Sequence, residues 1–307
     1  MTTAGAVTVV LIGAWLLVCG AGGRADPQDV GVVAEGATPV LLQGGFQFTE
    51  GPACDRDGSV VFSDVRASRA YRWTPEGQIT LWREDTAGAN GMFFGPDGLL
   101  YVCESANGRI VAVDRAGQVS VVAAEYRGKR FNRPNDIWVA PQGGVYFTDP
   151  NYGGAELSQD GEHVYYVSPD RARVVRVIDD MVRPNGLVGT RDGRTLYVTD
   201  AGAAKTWRFR VNEDGSLSER TLFVEFGGDG TSIDAEGNFY LATDAVVVFN
   251  PAGELIERIE LAEQPTNMCF AGPDLRTLFV TARSSVFTVA MRVCGVAPYE
   301  QPTEAQQ

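Results

Sequence analysis

The chain has little of what builds the commonest metal and nucleophile sites. It contains a single histidine, His163, and its five cysteines show no CxxC or Cys/His spacing, which argues against a zinc-finger-like centre. No Gly-x-Ser-x-Gly elbow and no phosphate-cradling glycine loop stands at a meaningful place, so serine-hydrolase and nucleotide-phosphate chemistry lack their signatures. Basic charge is short as well. With 26 Lys and Arg against 39 Asp and Glu, the formal net charge is −13, which opposes binding to nucleic acid or anionic membranes. Runs of five or six like charges are missing, so no disordered charged tail is implied.

A long apolar span is also missing. The apolar stretch AVTVVLIGAWLLV at 6–18 is too short for a comfortable membrane crossing and has the length of a signal-peptide core. Gly-Arg-Ala at 23–25 offers a cleavage site before Asp26, although no Lys or Arg precedes the core. Cys19 suggests a lipoprotein, but Val18 before it is larger than the usual small residue. A signal peptide over 1–25 and a periplasmic or secreted protein are expected, with an uncleaved anchor as the alternative. Cleavage would leave Cys54, Cys103, Cys269 and Cys294, expected as buried unpaired thiols. The alternative is a ring-closing disulfide from Cys54 or Cys269 to Cys294.

What is present is a repeat. Glu50, Asn90, Asn135, Asn185, Asp229 and Asn267 each stand eight residues before a turn position, at Gly58, Gly98, Gly143, Gly193, Gly237 and Leu275. Around each turn two short apolar runs face each other, as in EGPACDRDGSVVFSD and NDIWVAPQGGVYFTD, a strong hairpin signal. Turn-to-turn spacings of 40, 45, 50, 44 and 38 residues match a four-stranded propeller blade. An all-β, six-bladed β-propeller with four antiparallel strands per blade is expected over 38–294, followed by a polar tail over 295–307. The last repeat runs short, and PVLLQ at 39–43 is expected to supply its missing outer strand, leaving no long open edge. A β-sandwich would give no reason for the repeated donor.

The residue before the first strand of a hairpin and the residue after the second lie at the same end. The six oxygen donors therefore share a face with Asp64, Glu104, Asp149, Asp200 and Asp244. Several of those second-strand acids also read as turn caps. The six donors themselves form a ring of oxygens aimed at one axis, which suits a hard cation such as calcium. His163 follows the long insertion DPNYGGAELSQDGE in the third repeat, which reads as a lid over the mouth.

These motifs resemble the regucalcin and gluconolactonase family of calcium-dependent propeller lactonases. The resemblance rests on FTEGP at 48–52, RPNDIWV and GGVYFTDPNYG between 133 and 153, and VYYVSPD at 164–170. It continues through RPNGL at 183–187, TLYVTDAG at 195–202 and DGTSIDAEGN at 229–238. It implies metal ligation by Glu50, Asn135, Asn185 and Asp229, the last also serving as general acid/base. It further implies a substrate contact at Arg133 and a catalytic role for Asp136; no glutamate aligns with the family's second substrate contact. Asn90 and Asn135 are expected to meet substrate as well. Two carboxylates and two carboxamides form an oxygen shell suited to one divalent cation, calcium first, with magnesium, manganese and zinc remaining open.

The expected reaction is hydrolysis of a small-molecule sugar lactone of the gluconolactone type. The cation would polarise the carbonyl and Asp229 would act as the base. A calcium-dependent phosphotriesterase or arylesterase, which would draw on His163, is the second reading. A non-enzymatic propeller binding calcium or carbohydrate is the third, since fold alone does not choose among them.

Overall fold

In this computed structural model residues 31–154 and 156–296 are described. Six antiparallel sheets of four strands hold all but two of the strands among them. The first strands of the sheets are Thr49–Cys54, Ala89–Phe94, Ile137–Val139, Pro184–Gly189, Thr231–Ile233 and Asn267–Ala271. Each of these packs against the first strands of both neighbouring sheets, and the sixth meets the first, so the blades close into a ring around a tunnel. No helix among the described residues is long and apolar enough to cross a membrane.

The blades are held by apolar layers between them. One buried cluster fills each of the six blade–blade interfaces. Phe62 and Trp73 meet Phe279 between blades one and six, and Trp138 and Tyr146 meet Leu187 and Leu196 between three and four. Strands such as Val60–Asp64 and Val145–Asp149 are buried at every position, because a blade inside the ring is covered on both faces. At roughly 1.5–3 kcal/mol for each fully buried large apolar side chain, these layers are the main source of stability.

The hairpin turns explain the spacing. Gly58, Gly98, Gly143, Gly193 and Gly237 all have φ between 68° and 88°, and Leu275 takes the same left-handed conformation at 54°. The sixth repeat thus keeps the turn and pays about 1–2 kcal/mol of side-chain strain for its missing glycine.

Closure follows the expected route. Val40–Gly44 pairs antiparallel with Ser285–Ala290, Leu41 opposite Phe287 and Gly44 opposite Ser285, with an irregularity between Leu41 and Gln43. The N-terminal strand therefore completes the last blade in the order Val40–Gly44, Ser285–Ala290, Thr277–Ala282, Asn267–Ala271.

Three expectations need correction or fall outside the description. The leader over 1–25 and Cys19 lie outside the described residues. Of the tail expected over 295–307, residues 297–307 lie outside the described residues; Gly295 bridges Asp234, and its amide donates to the Leu275 carbonyl at 2.9 Å. Val296 packs on the cluster between blades four and five. These contacts tie residues 295 and 296 to the ring. The four remaining cysteines are not all unpaired. Cys54, Cys103 and Cys269, fixed within strands, are free thiols, whereas Cys294, beyond the last strand, is disulfide-bonded, and its partner is neither Cys54 nor Cys269. An additional two-stranded hairpin, Glu125–Tyr126 with Lys129–Arg130, precedes blade three and was not legible in the repeat pattern.

Candidate active site

The six donors gather at one mouth of the tunnel because each opens the innermost strand of its blade. The residue after the donor sets how closely those strands approach. It is glycine in four repeats, and a Cβ on Gly230 would lie 2.0 Å from the Asn267 side-chain carbon. A Cβ on Gly186 would lie 2.3 Å from the Asp229 carbonyl oxygen. Through those bare glycines the ring is laced by backbone bonds, Gly91 N to Asn135 O at 2.7 Å and Gly186 N to Asp229 O at 3.1 Å.

Blade three departs from this pattern by placing Asp136 at the glycine position. Its Oδ1 accepts from Ile137 N at 3.0 Å and its Oδ2 from Leu187 N at 3.3 Å, so the carboxylate bridges blades three and four inside the ring. Burial raises it to about 7 against those two bonds, with the nearby Asp229 charge adding to the rise. Glu50 is buried, accepts from Gly51 N at 2.9 Å, and is pushed well above the usual carboxylate range by burial first, then by Asp229 and Asp136. Asp229 is partly exposed at the mouth, and loss of hydration raises it to about 6 despite a bond from Asn185. Three carboxylates thus share one poorly hydrated space and repel one another, the arrangement that perturbs acids at functional sites.

The carboxamides complete the picture. Asn185 Nδ2 donates to Asp229 Oδ1 at 2.8 Å and to the Tyr152 hydroxyl at 2.5 Å, and its Oδ1 is buried with no partner. The Oδ1 of Asn90 is likewise buried and unpartnered. Asn267 Oδ1 is taken by Met268 N at 2.8 Å, and its side chain lies close enough to ease the charge on Glu50 and Asp136. Asn135 is buried beside Gly91, with Thr148 O receiving its amide at 2.9 Å. Orphaned buried carbonyl oxygens are rare because each forfeits its hydration. Alongside crowded carboxylates they fit a divalent cation, for which they are natural ligands. No group of three or more His, Cys, Asp or Glu poised to hold a metal occurs among the described residues, so a cation here must draw on the carboxamides.

The second-strand acids do not contribute to this mouth. Asp64 accepts from Gln47 N and Phe48 N, Asp149 from Asn132 N and Arg133 N, and Asp200 from Val182 N and Arg183 N. In all three blades these amides lie three and two residues before the ring donor, so each aspartate staples the segment that aims it. Glu104 pairs with Arg109 at 2.5 Å, and Asp244 is an exposed partner of Arg258. The turn-cap reading holds for the three staples; Glu104 and Asp244 serve in ion pairs.

His163 is buried but turned away from the tunnel. Its Nε2 lies 3.0 Å from both Asp160 and Arg176, a residue of the outermost strand Val174–Ile178. Arg133 is exposed at the rim, with its guanidinium against Gly153, where a Cβ would sit 2.6 Å from Nη1. Tyr152 was not singled out by spacing, because its reach depends on a loop that passes from blade three to blade four.

A family model described as the SMP-30/Gluconolactonase/LRE-like region matches residues 48–284. A gluconolactonase from Zymomonas mobilis is 32% identical over 84% of this chain and 83% of its own length. A gluconolactonase structure from Xanthomonas campestris superposes with a TM-score of 0.79 at 28% identity, covering 85% of this chain and 91% of its own. An X-ray structure with a provisional gluconolactonase assignment gives a TM-score of 0.82 at 31% identity, covering 89% and 98%.

Proposed function

This chain belongs to the SMP-30/gluconolactonase/LRE-like family, and from that premise and the chemistry of the tunnel mouth we propose that it hydrolyses sugar lactones of the gluconolactone type. The observation that carries the reading is the meeting of Glu50, Asp136 and Asp229 with the unpartnered carboxamide oxygens of Asn185 and Asn90. Glu50, Asn135, Asn185 and Asp229 would hold one divalent cation, with calcium the best match to an all-oxygen set. When bound, it supplies Lewis-acid polarisation of the lactone carbonyl.

The chain's own residues account for the proton movements. Asp229, at the mouth and oriented by the Asn185 amide, would take a proton from the attacking water. Asp136, buried inside the ring between blades three and four, would return a proton to the alkoxide oxygen released when the ring C–O bond breaks. Arg133 at the rim and Asn90 inside it meet substrate hydroxyls. Export by the leader over 1–25 is part of the same proposal and is checked by N-terminal sequencing of the mature protein.

Initial rates on a lactone panel, with chelator and after calcium is restored, test the reading. The expected result is turnover of hydroxylated lactones that disappears in chelator and returns with calcium. Undiminished turnover by metal-stripped protein would overturn the cation's role, and no turnover of any lactone would overturn the reaction class. The esterase reading that depends on His163 loses its footing, since that ring is committed to Asp160 and Arg176.

A further inference from the structure

The loop from Pro150 to Glu162, described except at 155, is pinned at its return end. Asn132, buried, accepts from Ser158 N at 2.9 Å and Gln159 N at 3.0 Å through Oδ1 and donates to Gly161 O at 2.9 Å through Nδ2. Gln159 Nε2 donates to Lys129 O at 2.8 Å and Arg130 O at 2.9 Å. From that base the loop carries Tyr152 across to blade four. The ring rests 5.2 Å from the Arg183 guanidinium and remains 49% exposed, while its hydroxyl reaches Asn185.

The direction of that last bond matters. Asn185 must turn its amide nitrogen toward Asp229, because the opposite orientation would set a carbonyl oxygen against a carboxylate. Its two N–H protons then go to Asp229 Oδ1 and to the phenol oxygen of Tyr152. The phenol therefore accepts, and its own proton has no acceptor among the described residues.

We propose that Tyr152 is a specificity-determining residue whose hydroxyl donates to a hydroxyl substituent of the bound lactone, selecting polyhydroxylated rings over plain ones. This inference rests on the lactonase reading above. A site that offers an uncommitted donor rejects an analogue lacking the acceptor, because binding then desolvates the donor for nothing.

Tyr152→Phe tests it, since the variant keeps the ring on Arg183 and removes only the hydroxyl. Rates are measured on glucono-δ-lactone and on δ-valerolactone, which has no hydroxyls. The expected result is a fall of about 10-fold in kcat/KM for gluconolactone, mostly in KM, with δ-valerolactone unchanged or improved because no donor is left stranded against it. Calcium affinity by titration calorimetry should be unaltered, because Asp229 still orients Asn185. Equal losses on both lactones would assign the proton to the reacting carbonyl and overturn the proposal, as would no loss on either. A parent inactive on all lactones would sink the lactonase reading instead. Gluconate binding by calorimetry then decides the inference separately: unchanged affinity in Tyr152→Phe overturns it, and weakening supports it.

Discussion

Asp136 and Gly230 occupy equivalent places in their repeats, each directly after a ring donor, and they show how one position serves two ends. Where it is glycine, the next blade's inner strand closes in; where it is aspartate, a carboxylate enters the ring. Gly230→Ala would thrust a methyl group to within 2.0 Å of the Asn267 side chain, so the strands must part. Destabilisation of about 1–3 kcal/mol, the range for overpacking, is expected in denaturant titrations, together with weaker calcium binding. A variant with parental midpoint and affinity would show that ring closure does not depend on that glycine. At Asp229, exchange for Asn preserves shape and one coordinating oxygen while removing a charge and the proposed base. Turnover at saturating calcium should fall by about 10²-fold or more. His163→Ala should cost under about tenfold, its ring being tied to Asp160 and Arg176 and not to substrate. Reversal of that order, with Asp229→Asn active and His163→Ala dead, would restore the histidine-dependent esterase.

Among elements, the closing strand Val40–Gly44 tests how much the ring depends on its seal. Removing residues before Gly45 would unpair Ser285–Ala290 and leave an open edge on blade six. A lower midpoint and a broader transition are expected in thermal melts, whereas an unchanged midpoint and cooperativity would make the pairing dispensable. This strand was readable beforehand because a blade short by one strand and a spare apolar run at the other end of the chain suit each other. The eight-residue spacing was readable for a related reason: strand length plus a left-handed turn is the same in every repeat, even at Leu275. The staples were only half readable. An acid ending a second strand can face the tunnel, turn back to the incoming segment or pair with a neighbouring arginine, and nothing in the strand pattern tells these apart. It turns back in blades one, three and four and does not in two and five. Tyr152 was hidden for the same reason, since nothing local to its loop indicates that it crosses to Asn185. The disulfide state of Cys294 was likewise closed to strand periodicity, the residue lying past the last strand.

For the molecule as a whole, the strained mouth should appear in the pH dependence of stability. Asp136 and Asp229 titrate at about 7 and about 6 in the folded chain, and Glu50 is raised with them, against roughly 4 for an unfolded carboxyl. The folded state therefore holds more protons than the unfolded one between about pH 4 and 7. Stability must fall as pH rises through that window and level off above it. The exposed acids held below their usual range, Asp160 and Asp214 among them, act in the opposite sense but only at lower pH. In chelator, the melting temperature should accordingly decline from pH 5 to pH 8. Calcium should oppose the decline, since it binds the ionised cluster and adds about 2.7 kcal/mol when free calcium is a hundred times its Kd. The relief should be incomplete, because Asp149, raised to about 7 at its staple, contributes in the same direction and lies outside the ring. A metal-stripped melting temperature that stays flat or rises from pH 5 to 8 would show that the mouth's carboxylates are not strained, removing the electrostatic case for a cation there. A decline that calcium leaves untouched would place the strain at Asp149 and the other buried acids instead.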